Sequence, residues 1–242
     1  MKPLVSIVIP CFNHAPALLR SLASIAKQTY RPLEVVVVDD GSVISLQTIE
    51  SQIQGAVRDI SLTLYRQENK GAPAARNKGA SLSHGDCVIF WDADVSAHPS
   101  MVEKMYTRLS TTSASFAYSN FFLAQWWGRK KMRSAEFSRE RLKQNNFIHS
   151  TSLIKRSEVI PWDESLKRFQ DWDYWLTLGE QGKKGVWIDE FLFTVENGGT
   201  MSSWLPRFAY HAPWRWLPGV RSRVLLYERS KSIVQKKHGL GG

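Results

Sequence analysis

The sequence predicts an α/β protein built on a doubly wound, mostly parallel sheet, and three observations carry that prediction. Apolar strand-like runs alternate with helix-like segments in the order β-α-β-α-β-α-β over the first ninety residues. One run, Leu33-Glu34-Val35-Val36-Val37-Val38, is almost continuously β-branched, the pattern of a parallel strand covered on both faces. The polar residues Asn13, Asp39, Asp40, Asp92 and Asp94 fall where runs end. That is the edge at which such sheets bind ligands.

Taken in order, Val5 to Pro10 reads as a buried strand stopped by proline. Residues 16–29 follow as a helix, with Leu18, Leu22, Ile25 and Ala26 on one face. After the run at 33–38, the spacing of Leu46, Ile49, Ile53 and Val57 predicts a second, weaker helix. Leu62 to Tyr65 is the third strand, and Gly71-Ala72-Pro73-Ala74-Ala75-Arg76-Asn77 opens a small-residue helix running to about Ser83. Cys87 to Trp91 is the fourth strand, and Met101, Val102, Met105, Tyr106 and Leu109 mark a helix after Pro99. Residues 116–160 are less regular. A strand is expected near Phe116–Tyr118, then an aromatic and basic stretch from Phe121 to Arg133, then a strand around Ser152–Ile154. Gln170 to Leu176 starts a helix whose first turn carries Asp171 and Asp173, where acids complement the helix dipole. Val186–Ile188 is a late strand.

The chemistry centres on Asp92 and Asp94. Residues two apart on a strand point the same way, so at the strand's end the pair can converge on one hard cation. Mg²⁺ takes one or two carboxylates and leaves the rest of its coordination to phosphates and water. A plainer alternative makes this segment a solvated turn, with Asp94 or Ser96 capping the following helix. Cys11 and Cys87 lie in or beside apolar runs, which reads as reduced, core-facing cysteine rather than a disulfide framework.

Five segments together resemble a known family: Val5 to Asn13, Val37-Val38-Asp39-Asp40-Gly41-Ser42, Gly71 to Asn77, Asp92-Ala93-Asp94 and Gln170-Asp171-Trp172-Asp173. They stand in the order seen in family 2 glycosyltransferases, inverting enzymes of the GT-A fold, and the resemblance covers roughly residues 4–200. It implies a GT-A catalytic domain over 1–200, with a nucleotide-binding half over about 1–95 and an acceptor half over about 96–200. A short basic, aromatic C-terminal extension follows over 201–242. It also implies a nucleotide-sugar donor (UDP or dTDP favoured), a divalent cation (Mn²⁺ or Mg²⁺) and a glycan or lipid-linked acceptor. In the donor site, Pro10 to Asn13 would form the turn that sets Phe12 against the base. Asp40 would accept the base N3–H with Asp39 beside it, and Gly71 would open the helix whose Arg76 meets the nucleotide or its phosphates. Asp92 would meet ribose or metal, and Asp94 would be the direct metal ligand. Asp171 matches the general base, with Asp173 the second choice. Considered without relatives, Asp171 also suits a helix N-cap, Asp39 a turn aspartate and Arg76 a solvated helix face. The sequence departs from the family pattern twice: Gln170 stands where relatives often carry Glu, and residues 194–200 lack the Arg and His found there in many relatives. His149 and His211 read as isolated histidines.

Charge and composition bound the alternatives. The chain has 242 residues and a net charge of +10. Residues 201–242 carry eight basic side chains against Glu228 alone, a net +7. There Trp204, Phe208, Tyr210, Trp214 and Trp216 interleave with Arg207, Arg215, Arg221 and Arg223. That mixture suits peripheral contact with an anionic membrane, although Pro206, Pro213 and Pro218 interrupt any long amphipathic helix. A duller reading packs these tryptophans, with a C-terminal helix, onto the catalytic domain. No signal peptide is visible before the strand-like sequence at Leu4, and no run approaches the roughly 18 apolar residues of a membrane span. The expected location is the cytoplasm, or the inner face of its membrane. A nucleotide-sugar-forming nucleotidyltransferase would need a Gly-rich, basic loop where Pro10 to His14 stand. A nicotinamide enzyme would need Gly-x-Gly-x-x-Gly after the first strand. A nucleic-acid module would leave the ordered aspartates unexplained, so no nucleic-acid partner is expected.

Overall fold

The computed structural model describes residues 2–196, 214, 217 and 219–240. Four parallel strands form one half of a mixed sheet: β1 (Val5–Cys11), β2 (Leu33–Asp40), β3 (Ser61–Gln67) and β4 (Cys87–Phe90). Between them run α1 (Ala15–Ala26), α2 (Glu50–Ala56, entered through a 3-10 turn at Leu46–Ile49) and α3 (Ala72–Leu82). The second half comprises β5 (Val95–Ala97), α4 (Met101–Ser110), β6 (Phe116–Gln125), β7 (Gly128–Met132), α5 (Arg139–Gln144), β8 (Leu153–Lys155), α6 (Gln170–Glu180) and β9 (Gly185–Val195). Helix α7 (Val220–Lys237) follows.

The strand order is β3-β2-β1-β4-β8-β6-β9-β5, with β7 paired to β6. β8 runs antiparallel to β4 and to β6. Two reversals therefore bring β6 back parallel to β4, and β9 runs parallel to β6. The carboxyl ends of β1, β2, β4, β6 and β9 thus share one edge.

Alternation along each strand sends side chains to two cores. Val5, Ile7, Ile9, Val35 and Val37 pack with Leu18, Leu22 and Ile25 of α1 and Met101, Met105 and Leu109 of α4. Val8, Val36, Val38, Val88 and Phe90 pack on the other face with Trp162, Trp172, Tyr174 and Trp175. Every residue of β2 is buried, as the β-branched run requires of a strand covered on both sides. Gly79 lets α3 approach the sheet, since a Cβ there would lie 2.3 Å from Val8 Cγ1. Cys11 and Cys87 are free and buried, and burial pushes their thiols up to about 12 and about 11.

Several expectations are corrected in detail. The strand at 116–118 extends to Gln125 and turns back as β7, so the aromatic and basic stretch is a hairpin. The late strand is far longer than Val186–Ile188 and reaches Val195. Helix α5 was not anticipated. Neither Asp94 nor Ser96 caps α4, because β5 intervenes and Ser100 holds the N-cap position. Part of the basic extension joins the main core, with Val234 of α7 in the second cluster. The aromatics at 204, 208, 210 and 216, and His211, lie outside the described residues.

Candidate active site

The shared edge gathers the expected residues. After β1 the chain turns through Asn13 in a left-handed conformation (φ 55). The Asn13 backbone N–H donates to Ser42 Oγ, and its side-chain oxygen accepts from Val43 N–H, which ties the loop after β1 to the loop after β2. Pro10 is the last but one residue of β1, and Phe12 stands 39% exposed beyond it, its ring open to solvent.

The two aspartates ending β2 are both buried but differently employed. Asp39 accepts from Ser42 N–H, Leu46 N–H and Arg66 Nη1. Burial opposes its charge, yet these hydrogen bonds and Arg66 hold its carboxyl below the ordinary range. It locks the turn, the plainer of the two roles the sequence allows it. Asp40 accepts from Gln67 Nε2 and Lys70 N–H on Oδ1, and from Gly71 N–H on Oδ2. A carboxylate offers about four lone-pair sites, so one remains on Oδ2. Gly41 at φ +76 makes the turn, and a Cβ there would lie 2.7 Å from Asn69 N.

Arg76 is only 2% exposed, so the expectation of a solvated helix face fails. The small residues of α3 let the helix sit so close to the sheet that this side chain points inward. Its guanidinium donates to Asp92 Oδ1 at 2.8 Å and Gln170 Oε1 at 3.1 Å, and lies 4.5 Å from the Trp162 ring centroid. Nε is buried without an acceptor. Gln170 therefore keeps a structural role, joining the first turn of α6 to Arg76, while its Nε2 donates to Leu166 O.

Asp92 accepts from Arg76 and from Ser150 Oγ at 2.9 Å. Burial works against its charge, but Arg76, His149 and Ser150 hold the carboxyl below the usual range. Asp94 differs: among the described residues no side chain donates to it. Burial first, then the charges of Asp92 and Glu196, push it up to about 6 against a downward pull from His149. Trp91, fully buried and donating to Ser21 Oγ, anchors the turn from one side. Glu196 N–H donates to Asp94 O from the other. Asp94 and Glu196 line a cavity of about 200 Å³ together with Asn13, His14 and Arg20.

His149, read as isolated, sits beside this pair. Its ring packs against Phe121 and Phe193, with centroids 4.9 and 5.2 Å away. Thr151 N–H donates to Nδ1, and Nε2 lies 3.9 Å from Asp92 Oδ2. Its partners come from residues 92, 121 and 193, and no local pattern in the sequence could signal that. Glu196 also went unread. The signal available was its position just past a strand whose register, Val195 opposite Val95, sets it beside Asp94.

The two acids of α6 separate. Asp171 is half-buried, and among the described residues its side chain makes no hydrogen bond or ion pair. The N-cap position belongs to Phe169 (φ 59), so Asp171 is not the cap. Asp173 is 3% exposed and engaged by Lys237 Nζ at 2.9 Å and His238 Nε2 at 2.9 Å. It faces α7 rather than solvent.

A divalent cation fits what is present. Asp94 has no side-chain donor among the described residues, and burial and its negative neighbours disfavour its ionisation, so a cation would relieve both conditions. No group of three or more His, Cys, Asp or Glu among the described residues is arranged to hold a metal unaided. One or two carboxylates suffice where phosphates complete the shell.

The curled, mostly parallel sheet with its acids on this edge is the GT-A class of α/β protein. The chain belongs to glycosyl transferase family 2, whose pattern residues 6–162 match. It is 30% identical over 213 residues to the putative teichuronic acid biosynthesis glycosyltransferase TuaG of Bacillus subtilis, covering 84% of each chain. The S. aureus TarS 1–349 structure in complex with UDP superposes with a TM-score of 0.68 at 19% identity, covering 81% of this chain and 60% of that one. The mannosyltransferase PcManGT of Pyrobaculum calidifontis, in complex with GDP-Man and Mn²⁺, gives 0.65 at 18% identity, covering 99% and 70%. Against the first curated relatives, the chain spans from 33% to 66% of their length.

Proposed function

We propose that this protein is an inverting glycosyltransferase that moves a sugar from a nucleoside-diphosphate donor to a hydroxyl of a glycan or lipid-linked acceptor. The reading fits assembly of a polysaccharide, and TuaG is named as a putative teichuronic acid biosynthesis glycosyltransferase. The observation that carries it is Asp94: at the ligand-binding edge beside a fixed Asp92, it has no side-chain donor among the described residues, and burial and Asp92 push its carboxyl up to about 6. Phe12 stacks on the base, and the remaining lone pair of Asp40 accepts a ring N–H, which uracil and thymine offer and cytosine does not, in keeping with UDP or dTDP. Support for a pyrimidine diphosphate and for a cation comes from the UDP in TarS and the Mn²⁺ in PcManGT.

Asp94, with Asp92, would hold Mn²⁺ or Mg²⁺. When bound, the ion supplies Lewis-acid stabilisation of the charge developing on the leaving diphosphate. Arg76 and Ser150 hold the Asp92 carboxylate in place and ionised. Asp171 takes the proton from the acceptor hydroxyl, for which it must come within about 2.6–3.2 Å of that oxygen. Attack from the side opposite the leaving group inverts the anomeric carbon. Two features support this assignment: among the described residues Asp171 has no partner of its own, and the adjacent Gln170 is linked through Arg76 to Asp92.

Calorimetry with UDP, dTDP, GDP and CMP, with and without Mn²⁺, tests the reading on the wild type and Asp94→Ala. Metal-dependent binding of UDP or dTDP that disappears in the variant is the expected result. A folded wild type that binds none of the four would sink it.

A further inference from the structure

The hairpin of β6 and β7 ends in a turn that lacks the usual turn pair, and its positive φ falls on Gly128 (φ 140) rather than on either central residue. Gln125 pairs with Gly128, so Trp126 and Trp127 are the two central residues of a two-residue loop. Such loops favour Asn-Gly and other glycine-containing pairs, because matching the strand twist calls for positive φ. Two large rings stand there instead, 87% and 66% exposed, in edge-to-face contact with centroids 5.0 Å apart. Arg129, Lys130 and Lys131 follow on a strand exposed along both faces, then Arg133, and no acid occurs from Phe121 to Ala135.

We propose that this hairpin is an interfacial anchor that seats the protein on an anionic lipid bilayer, tip inward. Tryptophan rings are favoured at headgroup depth, where the apolar body leaves water and the indole N–H stays wet. Basic side chains immediately behind them meet the negative surface potential of anionic lipid, with their aliphatic stems lying along the interface. The shape discriminates as well. The rings form one convex point, whereas a single-stranded nucleic acid needs a groove with successive stacking platforms.

The seating also fixes an orientation. Leu123 and Val95 both pair with Val195, which puts the hairpin at Leu123 level with the turn bearing Asp94. Trp126, just past the end of β6, is three residues farther along the chain, or about 10 Å at the rise of a strand. The anchor thus holds the open edge of the site about that far from the bilayer, facing it. The contact rests on the hairpin alone and stands whether or not the site transfers a sugar.

Co-sedimentation of the full chain with vesicles of phosphatidylcholine, alone or mixed with phosphatidylglycerol, tests it. The wild type is expected to bind the anionic vesicles and to bind neutral ones poorly. R129Q/K130Q/K131Q is expected to weaken anionic binding about a hundredfold, and W126S/W127S at least about tenfold, each with an unchanged melting temperature. Two results would overturn the proposal: no binding of anionic vesicles by the wild type, or wild-type binding by both folded variants, which would move the contact elsewhere. Preferential binding of a single-stranded oligonucleotide, lost in W126S/W127S, would overturn it in favour of a nucleic-acid platform.

Discussion

Asp171 and Asp173 stand two residues apart on one helix and face different surroundings. A helix turns about 100° per residue, so the two carboxylates diverge by about 200°. One is open and the other is clipped to α7 by Lys237 and His238. Their Asn variants should therefore separate cleanly. Asp171→Asn is expected to lower kcat by about 10²–10⁴ while donor affinity and melting temperature stay at wild-type values. Asp173→Asn is expected to cost about 1–3 kcal/mol of stability, since buried charged groups lose their partner, with donor binding retained. Steady-state kinetics beside thermal melts would check both. A loss of turnover in Asp173→Asn without loss of stability would reverse the assignment. The sequence presents both acids in one first turn, and only packing against residues 64 and 65 positions away distinguishes them.

Among the elements, α7 is held at its end by an ion-pair cluster whose strength depends on pH. Lys237 Nζ bonds Asp163 at 2.6 Å as well as Asp173, and hydrogen bonds from Lys237 and Ser165 pull the Asp163 carboxyl down from 3.8 to about 2. A depressed carboxyl stabilises the fold fully above its unfolded value, and that contribution is lost as pH falls through the folded one. Stability should thus decline between about pH 4 and pH 2 for this reason. Lys237→Met should flatten that part of the profile and lower stability at neutral pH by about 1–3 kcal/mol. Urea unfolding at stepped pH would measure it, and an unchanged acid slope would rule the cluster out. Strands β1, β2 and β4 were legible because parallel strands buried on both faces make near-continuous apolar runs. The hairpin was not, because Trp-Trp replaces the usual turn pair and β7 reads Gly-Arg-Lys-Lys-Met, with no alternation to find. Helix α5 escaped notice because its six residues bury Leu142 alone.

For the whole molecule, a ligand that binds only the folded state raises stability in proportion to the logarithm of its concentration. At one hundred times its dissociation constant the gain is about 2.7 kcal/mol. In a chain of 242 residues that corresponds to a rise in melting temperature of about 5–10 °C. UDP with Mn²⁺ is expected to produce it in a thermal-shift assay, and Asp94→Ala to abolish it. An equal rise in the variant would show that Asp94 takes no part in donor binding. The edge of acids that makes this possible was readable from strand ends alone, since Asp39, Asp40, Asp92 and Asp94 all follow apolar runs. Its second layer, His149 with Glu196, was not, because sheet register and ring packing assemble it across the chain. Among the described residues β7 pairs only with β6, so its outer side is a free row of backbone donors and acceptors. Arg129, Lys130 and Lys131 keep a second copy from adding a strand there, by repulsion between like charges. Salt screens that repulsion, so the wild-type protein should self-associate more readily as ionic strength rises, which light scattering would show.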